Sequence, residues 1–487
     1  MANDIKNKAI SGALWTGFEK IGRQMVRFIV GVVLARLVLP ADYGAVGMLA
    51  IFMAIANVFT DSGMGSALIQ KKDKTDADYS TVFWYNLLLS CFFYALMFVS
   101  SPWIAAFYKM PILEDVMRVV AVTLVTNALA TVQITRLTVN LKFREQSLVS
   151  MASVILSGGI GIILAYKGLG VWALVFYNLA GSIINGLLIW LVARWMPSLT
   201  FSKQSFLELF GFGSRILGSS LINTIYQNLS TLVIGRLFSP AEVGFYNRGA
   251  SYAQLPTATI QDVALKVNYP ILAKYKEDDC QLLRAYKKMM TVPLYVLYPV
   301  LIGMTVTAEP LICVMIGEKW LPAAAIMQIL CLGCMFAPLT HMNLNLLYVK
   351  GRSDLVLKLE LIKKPIGFAL LLGSCPFGIK WMVVSQAIYS FVAFSFNCFY
   401  TGKILNYGEF KQLKALMPIF VNSFIMGGIV YFAISFVYTP VAKLAVGVPV
   451  GIIVYIAVSI IIHDSSFFEI LNIIKGRLIP IIKTKNK

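Results

Sequence analysis

The sequence predicts an all-α polytopic membrane protein of about 14 transmembrane helices, in two parallel-repeat six-helix lobes plus two C-terminal helices. Three observations predict it. Of 487 residues, 58% are hydrophobic and 13% charged, a composition unlike that of an ordinary soluble domain. Apolar runs of roughly 20 residues, the length that crosses a bilayer, recur from end to end. The basic residues between those runs fall unequally on alternating sides of the chain.

In chain order the runs centre on residues 10–36, 43–69, 79–100, 116–138, 147–166, 169–193, 206–237, 241–268, 289–307, 323–348, 355–379, 381–402, 415–437 and 441–463. The opening MANDIKNK is too short, and the helix after it too charged, for a cleavable signal peptide, so the first helix is expected to be retained. The run at 355–379 is interrupted by Lys363, Lys364 and Pro365. With the N-terminus placed in the cytoplasm, the segments on that side hold 26 Lys and Arg against seven opposite. That asymmetry sets an orientation with N- and C-termini both cytoplasmic. It also accounts for most of the net charge of +19, which argues against nucleic acid as a partner. The longest loops expected are the basic 266–288 inside and 305–322 outside. The tail, 464–487, reads as a basic amphipathic segment resting on anionic membrane lipid.

A repeat organises the helices. Leu34-Ala-Arg-Leu-Val-Leu-Pro-Ala-Asp-Tyr-Gly44 returns, 200 residues later, as Ile234-Gly-Arg-Leu-Phe-Ser-Pro-Ala-Glu-Val-Gly244. Arg, Leu, Pro, Ala and Gly are identical, and Glu242 answers Asp42. Both copies end an outward-going helix and start an inward-going one, with Pro and an acid at the new N-terminus. The copies share one orientation, as in repeats related by an axis along the membrane normal. This divides the chain into an N-lobe at 1–200, a C-lobe at 201–404, two further helices at 405–463 and the tail.

Charge inside the helices points to a site. Glu19, Lys20, Arg23 and Arg27 lie in the first helix and project, at about 100° per residue, into one quadrant. A cation at mid-bilayer costs roughly 2.5–3.5 kcal/mol on insertion scales, so these groups should face protein or water. A structural Glu19–Arg23 pair at i,i+4 and snorkelling of Lys20 to the interface are the competing readings. On the seventh helix Arg215, Ser219, Asn223, Tyr226, Gln227 and Ser230 share an arc of about 120°. The 200-residue offset puts Asn223 and Gln227 in the places of Arg23 and Arg27. The eighth helix aligns Arg248, Tyr252, Thr259 and Asp262, with Pro256 between them. Arg215 is also placed to snorkel, and Arg248 to make a buried helix–helix pair. Asp61 and Asp262 read either as proton or cation sites or as structural partners of nearby bases; Lys363 and Lys364 read as cavity or interface groups. The glycines at 158–161 read as close helix packing, since no strand precedes them to make a phosphate loop.

Seven cysteines show no disulfide-like framework, and Cys331-x-x-Cys334 sits alone in an apolar helix, so no metal and no cofactor are expected. Several fixed cations with few acids favour a polyanion, most simply phosphate or pyrophosphate, which arginine binds bidentately. The neighbouring Tyr, Asn, Gln and Ser suit sugars. A lipid-linked substrate would need a lateral opening, so that its tail stays in the bilayer.

The runs LARLVLPADYGAVGMLAIFMAIANVFTDSGMGSALIQKKD, YSTVFWYN and FYNRGASYAQLP…VALKVNYPILAKYKED resemble the oligosaccharide-lipid flippases of the multidrug/oligosaccharidyl-lipid/polysaccharide (MOP) exporter superfamily. More narrowly they resemble the colanic-acid-type branch of polysaccharide exporters. The resemblance implies a non-enzymatic flippase of the bacterial inner membrane. It would move undecaprenyl-pyrophosphate-linked oligosaccharide between leaflets for surface polysaccharide biosynthesis, as a monomer, beside other polysaccharide assembly proteins. Family members use arginines in helices 1, 2 and 8; Arg23, Arg27 and Arg248 match, whereas helix 2 here has Asp61 and no central arginine. Two alternatives stand beside it, a transporter of the same superfamily and an enzyme. A cation-coupled multidrug exporter favours an acidic, aromatic cavity, and a membrane-embedded polymerase or glycosyltransferase favours acidic catalytic groups or a sizeable outer loop.

Overall fold

The computed structural model describes residues 22–471, apart from the side chains at 212, 215, 216 and 262–267. It is built of helices, with no strand among the described residues. Residues 22–37 form α1. There follow α2 (Pro40–Asp61), α3 (Met64–Gln70), α4 (Asp76–Tyr108), α5 (Ile112–Val139), α6 (Phe143–Tyr166), α7 (Val171–Ala193) and α8 (Lys203–Leu237). Then come α9 (Pro240–Lys274), α10 (Asp279–Val306), α11 (Ala308–Ile316), α12 (Pro322–Cys334), α13 (Ala337–Val349) and α14 (Ser353–Ser374). The chain continues through α15 (Ile379–Leu405), α16 (Glu409–Ser435), α17 (Pro440–Ile461) and α18, residues 465–471.

Each apolar run of the sequence falls on a helix, the first through its described part. Ten helical stretches among the described residues are both long and apolar enough to cross a membrane. Helices α8, α9 and α14 are long as well, at 35, 35 and 22 residues, but more polar. Several expectations are corrected. The basic segment 266–288 is no long loop: α9 runs to Lys274 and α10 starts at Asp279. Hydropathy marks where a chain leaves apolar surroundings, not where its hydrogen-bond ladder stops. The outer segment 305–322 holds α11 and a 3₁₀ turn at Glu318–Trp320. The run at 43–69 is broken between α2 and α3, where Ser62 and Gly63 both take positive φ, 47° and 69°. Helix α14, by contrast, carries Pro365 without a break.

The described chain forms two compact units, Met1–Gly244 and Phe245–Lys487. In the first, α4 packs on α5, α5 on α7, and α6 on α7. A capping box starts α4: Asp78 N donates to Thr75 Oγ1 at 3.3 Å and Thr75 N to Asp78 Oδ2 at 2.8 Å. Lys71 Nζ donates to Asp78 at 3.0 Å and to Glu208 of α8 at 2.9 Å. The hydrogen bond to Glu208 is the largest cause that raises the Lys71 ammonium above its ordinary value. The α7–α8 linker is strapped to α4 and α5. Trp195 Nε1 donates to Asp76 at 3.2 Å, Trp84 Nε1 to the Ser198 carbonyl at 2.8 Å, and Gln133 Nε2 to the Trp195 carbonyl at 2.9 Å. Beneath it lies an apolar cluster of Met64, Leu68, Phe83 and Leu209.

Glycines set the close approaches. A Cβ on Gly158 would stand 2.5 Å from Val30 of α1, and one on Gly161 2.9 Å from Tyr177 of α7, which is the packing role expected of that run. The two repeat turns also meet. A Cβ on Gly44 would lie 1.7 Å from the Pro240 carbonyl oxygen, and one on Gly244 2.1 Å from the Pro40 oxygen. The contact is reciprocal, so each copy of the motif uses its glycine to admit the other's proline carbonyl.

In the second unit α10 packs on α12 and α16, while α15 packs on α12, α13 and α14. Buried amides fasten helices where apolar contact alone gives little specificity. Asn343 of α13 and Gln412 of α16 exchange two hydrogen bonds, at 3.2 and 3.0 Å. Asn422 of α16 donates to Ser459 of α17 at 2.7 Å, and Tyr455 Oη to the Tyr295 carbonyl of α10 at 2.8 Å.

Candidate functional site

Helix α1 carries the first candidates. Val30 and Leu34 are 6% and 1% exposed and pack with Ala173 and Leu174 of α7. Arg23 and Arg27 stand on the same stripe, since 23, 27, 30 and 34 follow the i, i+4, i+7, i+11 spacing of one helix face. Met25 and Ile29, on other faces, are exposed. The arginine face is thus the one that packs against protein further along. Arg23 is half-buried there, and its Nη1 donates to Ser150 Oγ of α6 at 3.1 Å. Arg27 is exposed and has no ion pair among the described residues. An arginine exposed on a face that is buried one turn later adjoins open space. Glu19 and Lys20 lie outside the described residues, and so does any Glu19–Arg23 pair.

On α8, Ser219, Asn223 and Gln227 are exposed and Tyr226 and Ser230 half-buried, so the polar arc is accessible within the first unit. The side chain of Arg215 lies outside the described residues. Asp61 is exposed at the end of α2, next to the break at Ser62–Gly63. It has no ion pair among the described residues. The break is a packing point as well: a Cβ on Gly213 of α8 would come 2.6 Å from the Ser62 carbonyl oxygen. Ser62 Oγ donates to Asn86 Oδ1 of α4 at 3.3 Å.

In the second unit, Arg248 is half-buried on α9 and Tyr252, one turn on, is 4% exposed and in electrostatic contact with it. Tyr246 Oη donates to Gln386 of α15 at 2.9 Å, which fixes this end of α9. Asp262 is helical, but its side chain lies outside the described residues. Lys363 is 2% exposed, 2.7 Å from Glu360, with Lys364 at 3.8 Å from the same carboxylate. It is therefore an internal paired ammonium, with neither the water nor the interface that the sequence offered as alternatives. Cys331 is buried in α12. Among the described residues no three His, Cys, Asp or Glu gather as metal ligands.

Two features, one in each unit, are not visible in the sequence pattern. One is Ser150, the acceptor for Arg23, which no local pattern marks because it lies 127 residues away. The other is an apolar groove of about 470 Å³ between α10, α11, α16 and α17, lined by Val300, Met304, Met426, Val430, Val448 and Ile452. Gly303, Gly447 and Gly451 also line it, the last two one turn apart on α17.

The profile of a polysaccharide biosynthesis protein family matches residues 33–325. The chain is 26% identical over 490 residues to the teichuronic acid biosynthesis protein TuaB of Bacillus subtilis, covering 97% of this chain and 99% of that protein. It is 23% identical over 474 residues to the succinoglycan biosynthesis transport protein ExoT of Rhizobium meliloti, covering 95% of each. Among solved structures, the lipid II flippase MurJ in an inward closed conformation superposes with a TM-score of 0.77 at 17% identity. The superposition covers 93% of this chain and 99% of that one, so the fold is shared.

Proposed function

This chain belongs to the polysaccharide biosynthesis protein family, and from that premise we propose that it is a flippase for undecaprenyl-pyrophosphate-linked oligosaccharide repeat units. It moves them from the inner to the outer leaflet of the bacterial cytoplasmic membrane by alternating access, as a monomer with both termini cytoplasmic. No bond is made or broken, so its residues bind and release.

The observation that carries the reading is the pair Arg23 and Arg27, one turn apart on the protein-facing stripe of α1, with Arg27 open and unpaired among the described residues. Two guanidinium forks at that spacing suit a pyrophosphate. Lys20, Arg215 and Arg248 add positive charge, while Asn223, Gln227 and Tyr252 offer hydrogen bonds to sugar hydroxyls. The groove beside α17 suits a polyprenyl chain, because its walls are apolar and about 470 Å³ holds several isoprene units. A cationic stripe opposes the drug-exporter reading.

Deleting the gene tests the proposal. Pyrophosphate-linked oligosaccharide should accumulate on the inner leaflet while the surface polymer disappears and drug susceptibility stays unchanged. Altered drug susceptibility with normal polymer would favour the exporter instead.

We assign the coupling proton to Asp61, an acid with no ion pair among the described residues, at a break in a membrane helix, with Asp262 as its rival. Asp61→Asn should remove the response of transport to an imposed pH gradient and leave the response to an imposed potential, about 2.3 kcal/mol per charge per 100 mV. An unchanged pH response would reassign the proton.

A further inference from the structure

A second cavity, of about 790 Å³, lies between the end of α9 and the start of α10. Its polar wall holds Asn268, Arg284 and Lys288, and its apolar floor includes Met289 and Val292. Arg284 and Lys288 are one turn apart and exposed, so both reach the same side of α10. Asn268 is 3% exposed, and its amide nitrogen has no acceptor among the described residues. A buried donor left unpaired is unfavourable, and a bound acceptor would relieve it. The Asp278 carboxylate in the wall is already committed: its Oδ1 accepts from Cys280 N and Gln281 N, both at 3.0 Å, and caps α10. Lys288 is held by Glu469 of α18, whereas Arg284 has no ion pair among the described residues.

Guanidinium, ammonium and amide donors above an apolar floor match a phosphodiester with acyl chains beneath it. The predicted topology puts this end of α9 and α10 on the cytoplasmic face. We propose that the cavity binds the phosphate of an anionic membrane phospholipid of the phosphatidylglycerol type. The phosphate takes Lys288 from Glu469 and so frees α18 from α10. This goes beyond the flipping site, because none of these residues belongs to it.

Cys280 lines the cavity and is exposed, so its alkylation reports occupancy. The full-length protein in phosphatidylcholine nanodiscs is treated with a maleimide while phosphatidylglycerol is added, and the Cys280 peptide is followed by mass spectrometry. Phosphatidylglycerol should slow its modification, by about five-fold for each cation engaged. The Arg284→Gln/Lys288→Gln protein should lose that protection, and Glu469→Gln should reach it at a lower lipid fraction. Inorganic phosphate in pure phosphatidylcholine should protect nothing. Equal protection in the double variant would overturn the site, and equal protection by phosphate alone would overturn the lipid as its ligand. Lys358→Gln, an exposed change elsewhere on α14, controls for general surface charge.

Discussion

Gly44→Ala should leave almost no folded protein in detergent extracts, where Gly159→Ala behaves as wild type or better. At Gly44 the new methyl would sit 1.7 Å from a backbone carbonyl oxygen, that of Pro240, and a carbonyl at a helix start cannot rotate away as a side chain can. Relief requires the two repeat turns to separate, at about 3 kcal/mol or more. Gly159 lies in α6 with open space where its Cβ would go. Alanine there gains about 0.5–1 kcal/mol of helix preference in water-like surroundings. Gly244→Ala should resemble Gly44→Ala, because its methyl meets the Pro40 oxygen at 2.1 Å. Thermal unfolding followed by fluorescence-detected size exclusion reads all three. A Gly44→Ala protein with an unchanged midpoint would mean that the turns do not touch.

Arg23→Ala and Arg27→Ala should each reduce surface-polymer export by ten-fold or more while leaving expression intact. Each guanidinium removed forfeits charge-assisted hydrogen bonds worth about 1.5–3 kcal/mol, a factor of roughly ten to a hundred. The folded state loses far less. Arg27 is exposed, and Arg23, half-buried, donates to the Ser150 hydroxyl at 3.1 Å. Arg23→Lys and Arg27→Lys should recover part of the export, since an ammonium keeps the charge but not the two-pronged geometry. Polymer yield and accumulated lipid-linked intermediate in a complemented deletion strain measure the effect. Full export by both alanine variants would remove the arginines from the site.

Much of the architecture was legible before any coordinates. Apolar length located the helices because a bilayer leaves the backbone no partner but itself. That Arg23 and Arg27 share a face was readable because a helix has one period. The repeat was readable too, and α2 and α9 begin at Pro40 and Pro240, with the offset intact. A sequence repeat records shared descent of two segments, whereas contacts record where helices dock; the repeat turns near residue 200 and the contacts near Gly244. What hydropathy could not give was the end of a helix outside the membrane, as at Lys274 and Asp279, because charge there does not interrupt hydrogen bonding. The break at Ser62–Gly63 hides inside an apolar run, since one left-handed residue pair costs no hydrophobicity. The partner of Arg23 depends on which helices lie together, whereas Lys363 finds its partner on its own helix. Glu360, three residues from Lys363, was a local clue; Ser150 offered none.

The arginine face of α1 is proposed to hold a pyrophosphate during transfer. The direct measurement is transfer of a pyrophosphate-linked glycolipid across vesicles containing only the purified protein, alongside the same glycolipid on a neutral linkage. The pyrophosphate form alone should move, and its movement should be lost in the Arg23→Ala/Arg27→Ala protein. Equal transfer of both lipids, or undiminished transfer by that variant, would contradict it.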